Sequence, residues 1–318
     1  MKEKKPIMEL SLFFPAYNEE ENIEICIEKG RKAAEKYAEK WEILIIVYEG
    51  SIDRTKEIVR EWEKKDRRIK LIIQPKERKG VGAAYQIGFE KAKYNTVFYC
   101  DSDNQFDLDE IKRFLPYIEE YDIIAGYRID RQDPKGRIWT SRIYNFFLRQ
   151  IIPIKERDVD CAFRLVKKKI FEKVKIVSTT GLMTAEMLAK ARIAGYKITQ
   201  VGVSHYPRLA GEARFEMPAG LNVPKPKVVL EILKEILKLR KEIKAFKAVH
   251  KYKPISRKKK GLTALYYSFR NTILIFWNAV LWRKCPVCHA AIQEKDHPED
   301  LAQYGICTNP TCTWGKGK

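Results

Sequence analysis

The sequence predicts an α/β fold in which a mostly parallel sheet carries helices on both faces. Three observations predict it. Short β-type runs alternate with helical segments through the first part of the chain, the pattern of crossover units in a parallel sheet. Each run ends in a loop holding proline, glycine or carboxylate residues, at the edge where open parallel sheets bind ligands. One of those ends, Tyr99-Cys100-Asp101-Ser102-Asp103-Asn104-Gln105, sets two carboxylates at i, i+2 directly after the run Thr96-Val97-Phe98-Tyr99-Cys100.

The elements follow in order. The run Leu10-Ser11-Leu12-Phe13-Phe14 reads as a buried strand that stops at Pro15, with a helix starting at Asn18. Trp41-Glu42-Ile43-Leu44-Ile45-Ile46-Val47-Tyr48 is a second strand; Glu49-Gly50-Ser51 turns it into a helix capped near Asp53, because a short acidic side chain satisfies open N–H groups there. A third strand, Ile69–Gln74, leads to Lys79-Gly80-Val81-Gly82-Ala83-Ala84, which opens a helix over about 83–93. The carboxylate strand comes next. Its two acids make a hard, oxygen-rich corner suited to Mg²⁺ or Mn²⁺ and to the phosphates those ions carry.

At these residues the chain resembles the family 2 glycosyltransferases with the GT-A fold, the Rossmann-like sheet of nucleotide-diphospho-sugar transferases. Within them it resembles the dolichol-phosphate mannose synthase-like branch, which acts on polyprenyl phosphates. The matching motifs are Phe14-Pro15-Ala16-Tyr17-Asn18-Glu19-Glu20-Glu21-Asn22, Glu49-Gly50-Ser51-Ile52-Asp53-Arg54-Thr55, Lys79-Gly80-Val81-Gly82-Ala83-Ala84 and Asp101-Ser102-Asp103-Asn104-Gln105. Asp160-Cys161-Ala162-Phe163-Arg164 and His205-Tyr206-Pro207-Arg208 follow in family order. Each is modest alone; six in order are specific. Together they cover about residues 8–216.

The resemblance implies an inverting, metal-dependent glycosyltransferase. Asp103, with Asp101 and Gln105, is expected to hold Mg²⁺ or Mn²⁺ against the diphosphate of a nucleotide-sugar donor. Pro15, Tyr17 and Glu19 lie where the family wraps base and ribose. Gly80 and Gly82 would let the backbone approach the donor at a helix N-terminus, which favours negative charge. Arg208 and Arg214, with His205, belong to a segment that closes over the diphosphate. Arg128, Arg142 and Arg164 lie where the branch binds a polyprenyl-phosphate head group, and the planar arginine fork suits phosphate. For a hydroxyl acceptor, Asp160 is the general-base candidate by motif position. One departure stands out. The family usually has Asp-Asp-Gly-Ser after the second strand, and this chain has Tyr48-Glu49-Gly50-Ser51. Glu49 keeps an acid facing the base, which leaves GDP-sugars and UDP-sugars both open.

The 318 residues allow one large domain and something smaller, and the net charge of +20 calls for an anionic partner. Nucleic acid is disfavoured, because its binding grooves avoid clustered acids. A zinc-ribbon nucleic-acid binder or a non-catalytic nucleotide-sugar scaffold are the rival readings of another class. The apolar run at 10–14 is too short for a signal peptide.

Three regions are expected. Residues 1–222 carry the catalytic pattern. Residues 223–282 open on Val223-Pro224-Lys225-Pro226 and form a basic helical region. There Val228, Val229, Ile232, Leu233, Ile236, Leu237, Ile243 and Phe246 recur at helical spacing between lysines. With the aromatic stretch 262–282, broken by Arg270, this reads as helices lying on an anionic membrane surface. A helical pair packed on the catalytic domain and a true membrane span are the alternatives. The expected location is peripheral or monotopic, at the cytoplasmic face of a membrane. Residues 283–318 hold Cys285-Pro286-Val287-Cys288 and Cys307-Thr308-Asn309-Pro310-Thr311-Cys312. Two cysteine pairs about twenty residues apart read as a structural Zn²⁺ ribbon. Cys26, Cys100 and Cys161 are scattered and read as core or site-wall residues.

Overall fold

The computed structural model describes residues 7–129, 145, 148, 149, 151–208 and 226–250, with two short strands at 292–293 and 306–307. Its elements are β1 (Ile7–Ala16), α1 (Ile23–Tyr37), β2 (Ala38–Tyr48), α2 (Thr55–Lys65), β3 (Ile69–Gln74), α3 (Val81–Lys91), β4 (Thr96–Tyr99), β5 (Ile123–Ile129), β6 (Arg164–Lys167), α4 (Met183–Ile193), β7 (Ile198–Ser204) and α5 (Pro226–Val249). Short 3-10 turns, including Leu108–Arg113, connect β4 to β5. The sheet has seven strands in the order β3-β2-β1-β4-β6-β5-β7. Only β6 runs against its neighbours β4 and β5; all other pairs are parallel.

The apolar runs are continuous because the central strands are buried on both faces. Alternate residues of β1 divide between two cores. Leu10, Leu12 and Phe14 join Ile23 and Ile27 of α1 and Val59 of α2 on one face. Phe13 points the other way, into Tyr85 and Phe89 of α3 and Met187 and Leu188 of α4. Its ring stacks on Tyr99 of β4 at 5.4 Å and meets Phe89 edge-on at 5.1 Å. Burying each such side chain stabilises the fold by about 1.5–3 kcal/mol. β1, β2, β3, β4 and β5 all point their carboxyl ends to the same edge, so every loop singled out in the sequence converges there.

Two expectations need correction. The first helix starts at Ile23, not at Asn18. Asn18 takes φ 51°, a left-handed conformation that asparagine tolerates. It links two loops instead: its N–H donates to Ser51 Oγ at 3.1 Å and its Oδ1 accepts from Ile52 N at 3.0 Å. Glu20 N likewise donates to Asp53 Oδ2 at 2.9 Å. Asp53 also caps α2, as expected, accepting from Thr55 N at 3.1 Å.

The second correction concerns the basic helical region. Its first helix exists as α5, but Ile236, Leu239 and Ile243 are buried against the catalytic domain and Phe246 packs beside them. Of the stripe expected on a membrane, Ile236, Ile243 and Phe246 are thus covered by α4 and its surroundings. Lys234, Lys238, Arg240, Lys241, Lys244 and Leu237 stay exposed on the other face. No described helix is long and apolar enough to cross a membrane. Residues 262–282 and the side chains of Cys285, Cys288, Cys307 and Cys312 lie outside the described residues. The only described part of the tail is an antiparallel pair, β8 (Ile292–Gln293) and β9 (Ile306–Cys307).

Candidate active site

The carboxylate corner is built by alternation. After β4, Ser102 and Asn104 turn inward and are buried. Ser102 Oγ donates to Pro15 O at 2.8 Å, and Asn104 Nδ2 donates to Asn22 O at 2.9 Å. Asn104 takes φ 60° to make the turn. Asp101 and Asp103, the alternate residues, are left at the mouth, both half-buried. Tyr85 of α3 donates its hydroxyl to Asp101 Oδ1 at 2.9 Å. Burial raises the Asp101 pKa above the usual carboxylate range and the Glu19 charge adds to that, while the Tyr85 bond, Arg128 and Arg208 pull it back. Asp103 Oδ1 accepts from Gln105 N at 3.2 Å.

Pro15, Tyr17, Glu19 and Glu49 form the wall at the β1–β2 end. Tyr17 meets Tyr48 with ring centroids 5.8 Å apart, so the residue that replaces the family's first acid supplies an aromatic surface. Glu49 is exposed, and its Oε2 accepts from Lys76 N at 3.2 Å. Glu19 accepts from Asn22 Nδ2 at 2.8 Å and is paired with Arg208. Arg208 comes from the strap after β7. There Tyr206 N donates to Gln105 O at 2.9 Å, Gln105 Nε2 donates to Tyr206 O at 3.1 Å, and the His205 ring lies 5.1 Å from Phe106. Gln105, expected among the metal ligands, thus fastens the strap with its amide nitrogen.

Gly80 and Gly82 lie against protein backbone. A Cβ on Gly82 would stand 2.5 Å from Thr179 C and Thr180 O, and Gly80 (φ 104°) faces Thr179 O as closely. The Gly82 N–H donates to Thr179 O at 3.0 Å. The glycines let the 178–181 loop lie against the start of α3.

The arginines separate. Arg128, at the end of β5, forms a two-pronged pair with Asp158. Burial works against its charge and Asp158 more than restores it, so its pKa is raised. Arg164 is fully enclosed within the sheet, not at the mouth. Its guanidinium donates to Tyr99 OH at 3.2 Å and to the carbonyls of Asp158 and Val159. An arginine expected at the acceptor phosphate therefore braces the 158–159 turn beneath Arg128. Asp160 is exposed. Arg142 and Arg214 lie outside the described residues.

Among the described residues no three His, Cys, Asp or Glu side chains gather as a metal cage. Mg²⁺ and Mn²⁺ take one or two carboxylates and leave the other positions to water and phosphate. Asp101 and Asp103 are hard oxygen donors, both half-buried at the carboxyl end of β4. Cys26, Cys100 and Cys161 are buried free thiols, as expected for core residues, with burial pushing the Cys161 thiol up to about 12.

Residues 11–175 match the family model described as glycosyl transferase family 2. The chain belongs to glycosyl transferase family 2. This family 2 chain is 30% identical over 165 residues to the undecaprenyl-phosphate 4-deoxy-4-formamido-L-arabinose transferase of Pectobacterium atrosepticum, covering 52% of the chain and 50% of that protein. It is 26% identical over 214 residues to the dodecaprenyl-phosphate galacturonate synthase of Rhizobium johnstonii, covering 65% of the chain and 62% of that protein. The chain thus spans between half and two thirds of these relatives' lengths. Its fold is similar to the glucosyl-3-phosphoglycerate synthase of Mycobacterium tuberculosis, crystallised with Mn²⁺, UDP and glucosyl-3-phosphoglycerate. That likeness has a TM-score of 0.50 at 14% identity, covering 76% of this chain and 80% of the other. The sheet is that of a GT-A glycosyltransferase, as the motifs lead one to expect.

Within the family 2 site, sequence reasoning missed Asp158 and Tyr85. Asp160 holds the motif position, but Asp158 is the buried acid that holds Arg128. Two acids two residues apart carry no signal that separates them. Tyr85 did leave one: a tyrosine on the apolar face of a helix needs a partner for its hydroxyl.

Proposed function

We propose that this chain transfers a sugar from a nucleotide-diphosphate sugar to a polyprenyl phosphate at an anionic membrane surface, with inversion at the anomeric carbon. One observation carries the reading: an acidic corner and a guanidinium fixed by Asp158 lie at the same carboxyl edge of the sheet. β4 delivers Asp101 and Asp103, and β5 delivers Arg128, whose charge is felt at Asp101. The two relatives carry polyprenyl phosphate in their names, which supports the acceptor class.

Asp101 and Asp103 would hold Mg²⁺ or Mn²⁺, which when bound supplies positive charge to the diphosphate leaving group. Tyr17 and Tyr48 offer a face for the base. Glu49 offers it a carboxylate, which accepts from uracil or guanine N–H. Arg128, oriented by Asp158, would receive the acceptor phosphate. A phosphate oxygen is anionic at neutral pH and attacks C1 in line without a general base, so Asp160 is not required. Arg142 and Arg214 stay in the proposal as further phosphate contacts, and the four tail cysteines as a Zn²⁺ ribbon. The exposed basic face of α5 supports electrostatic attachment to the membrane rather than insertion.

A panel of UDP-sugars and GDP-sugars, supplied with Mn²⁺ and a short polyprenyl phosphate, tests this reading. One donor should yield a sugar-phosphate lipid of inverted anomeric configuration by NMR. A retained configuration contradicts the direct attack.

A further inference from the structure

Glu186 and Lys190 of α4 form an ion pair that is almost completely buried, at 1% and 3% exposure. Such a pair contributes little net stability compared with apolar residues of the same volume. Its bonds show another use. Glu186 accepts from Val177 N at 3.1 Å and from Ser178 N at 2.8 Å. Lys190 Nζ donates to Lys175 O at 2.7 Å and stands 5.5 Å from the Phe246 ring of α5, which covers it. The pair therefore fixes the backbone of residues 175–178.

That backbone grips α3. Ser178 O accepts from Gln86 Nε2 at 2.9 Å, and Thr179 O accepts from Gly82 N at 3.0 Å. The first N–H groups of a helix have no partner within it, and here the loop provides one. The space that a Cβ at Gly82 would need is filled by Thr179 and Thr180, so the fit is close. Tyr85 lies one turn along, next to Gln86, with its hydroxyl on Asp101.

We propose that Glu186 is a positioning residue for Asp101, acting through a clamp in which residues 177–180 seat the start of α3 and so hold Tyr85 on the carboxylate. The inference rests on reading Asp101 as the carboxylate that meets the metal-diphosphate. Glu186 touches no reacting group; what it supplies is the placement of Tyr85. Its effect must therefore vanish once the Tyr85 hydroxyl is gone.

The test uses the full chain with Glu186→Gln, Gln86→Met, Tyr85→Phe and the Glu186→Gln/Tyr85→Phe double variant. Two readouts are followed: hydrogen exchange of the 81–86 amides, and Mn²⁺ binding by electron paramagnetic resonance in the presence of UDP and, separately, of GDP. Glu186→Gln and Gln86→Met should speed exchange over 81–86. Each should weaken Mn²⁺ binding by about 10-fold, the scale of outer-shell changes around metal ligands. In the Tyr85→Phe background, Glu186→Gln should cause no further loss. A full additional loss there overturns the proposal, as does a folded Glu186→Gln protein with unchanged exchange and Mn²⁺ binding. If Glu186→Gln fails to fold, Gln86→Met combined with Tyr85→Phe decides by the same criteria. Absence of Mn²⁺ binding by the unaltered chain contradicts the metal reading itself. The clamp is then judged on exchange alone, and unchanged protection at 81–86 overturns it.

Discussion

Arg128 and Asp158 are joined at two points: Nε donates to Oδ2 at 2.6 Å and Nη2 to Oδ1 at 2.7 Å, with each side chain 10% exposed. The pair sets the direction of the guanidinium and leaves Nη1 outside this two-pronged contact. Removing one partner strands a buried charge. Asp158→Ala should therefore destabilise the chain by about 3–5 kcal/mol in urea unfolding. Arg128→Ala should raise the KM for the lipid phosphate more than the KM for the nucleotide sugar. Equal increases would remove Arg128 from the acceptor side.

The two kinds of glycine near the site should behave oppositely. Gly82→Ala drives a methyl group into the 179–180 backbone and should cost about 1–3 kcal/mol through overpacking. At Gly181 an added methyl would meet nothing within 4 Å, and the backbone has no positive φ there. Gly181→Ala should melt like the parent, and a large loss of melting temperature would contradict the described loop.

The two faces of α5 can be separated by mutation. Leu239→Ala or Ile243→Ala opens a cavity beside α4 and should destabilise by about 2–5 kcal/mol. Lys238→Glu/Lys241→Glu/Lys244→Glu alters only exposed positions. It should leave melting nearly unchanged but release the protein from anionic liposomes. Binding by the parent should fall as salt rises, since exposed charges are screened. Sedimentation with vesicles at graded salt measures both effects.

Asp109 ties α1 to the turn after the carboxylate corner, accepting from Lys112 at 2.8 Å, Lys36 at 2.7 Å and Tyr37 OH at 2.6 Å. Those bonds, led by Lys112, hold its pKa well below the ordinary value of 3.8. A depressed carboxylate stabilises the fold above its unfolded pKa, and that contribution is lost as pH falls through the folded pKa. Asp109→Asn should melt lower than the parent at pH 7, with the gap closing below the ordinary value. Melting curves from pH 7 to pH 2 check this; a constant gap would place the stabilisation elsewhere.

The central strands are legible in the sequence because they are buried on both faces, and burial of that kind demands an unbroken apolar run. β3 is readable to the residue at Ile69–Gln74, and the acids after β4 stand out because they end an apolar run within an ordered series of motifs. What the sequence hides depends on distant partners. Asn18 bonds to Ser51 and Ile52, more than thirty residues away, and no local helix signal reports that. The stripe Ile236, Ile243 and Phe246 is equally apolar whether a membrane or α4 covers it. Gly80 and Gly82 announce a close approach but not its partner, which is the 179–180 backbone. Arg164 looks like any phosphate-binding arginine until the register of β6 between β4 and β5 encloses it.

The most direct measurement follows labelled sugar from the active donor, with Mn²⁺ present, into a short polyprenyl phosphate or a water-soluble hydroxyl acceptor, using the parent and Asp103→Ala. Transfer to the lipid phosphate is expected, with its loss in EDTA and its return with Mn²⁺ or Mg²⁺. Asp103→Ala should fall by about 10²–10³ in rate, the scale of one lost electrostatic stabiliser. Full activity in EDTA with equal transfer to the hydroxyl acceptor would contradict a metal-dependent transfer to lipid phosphate.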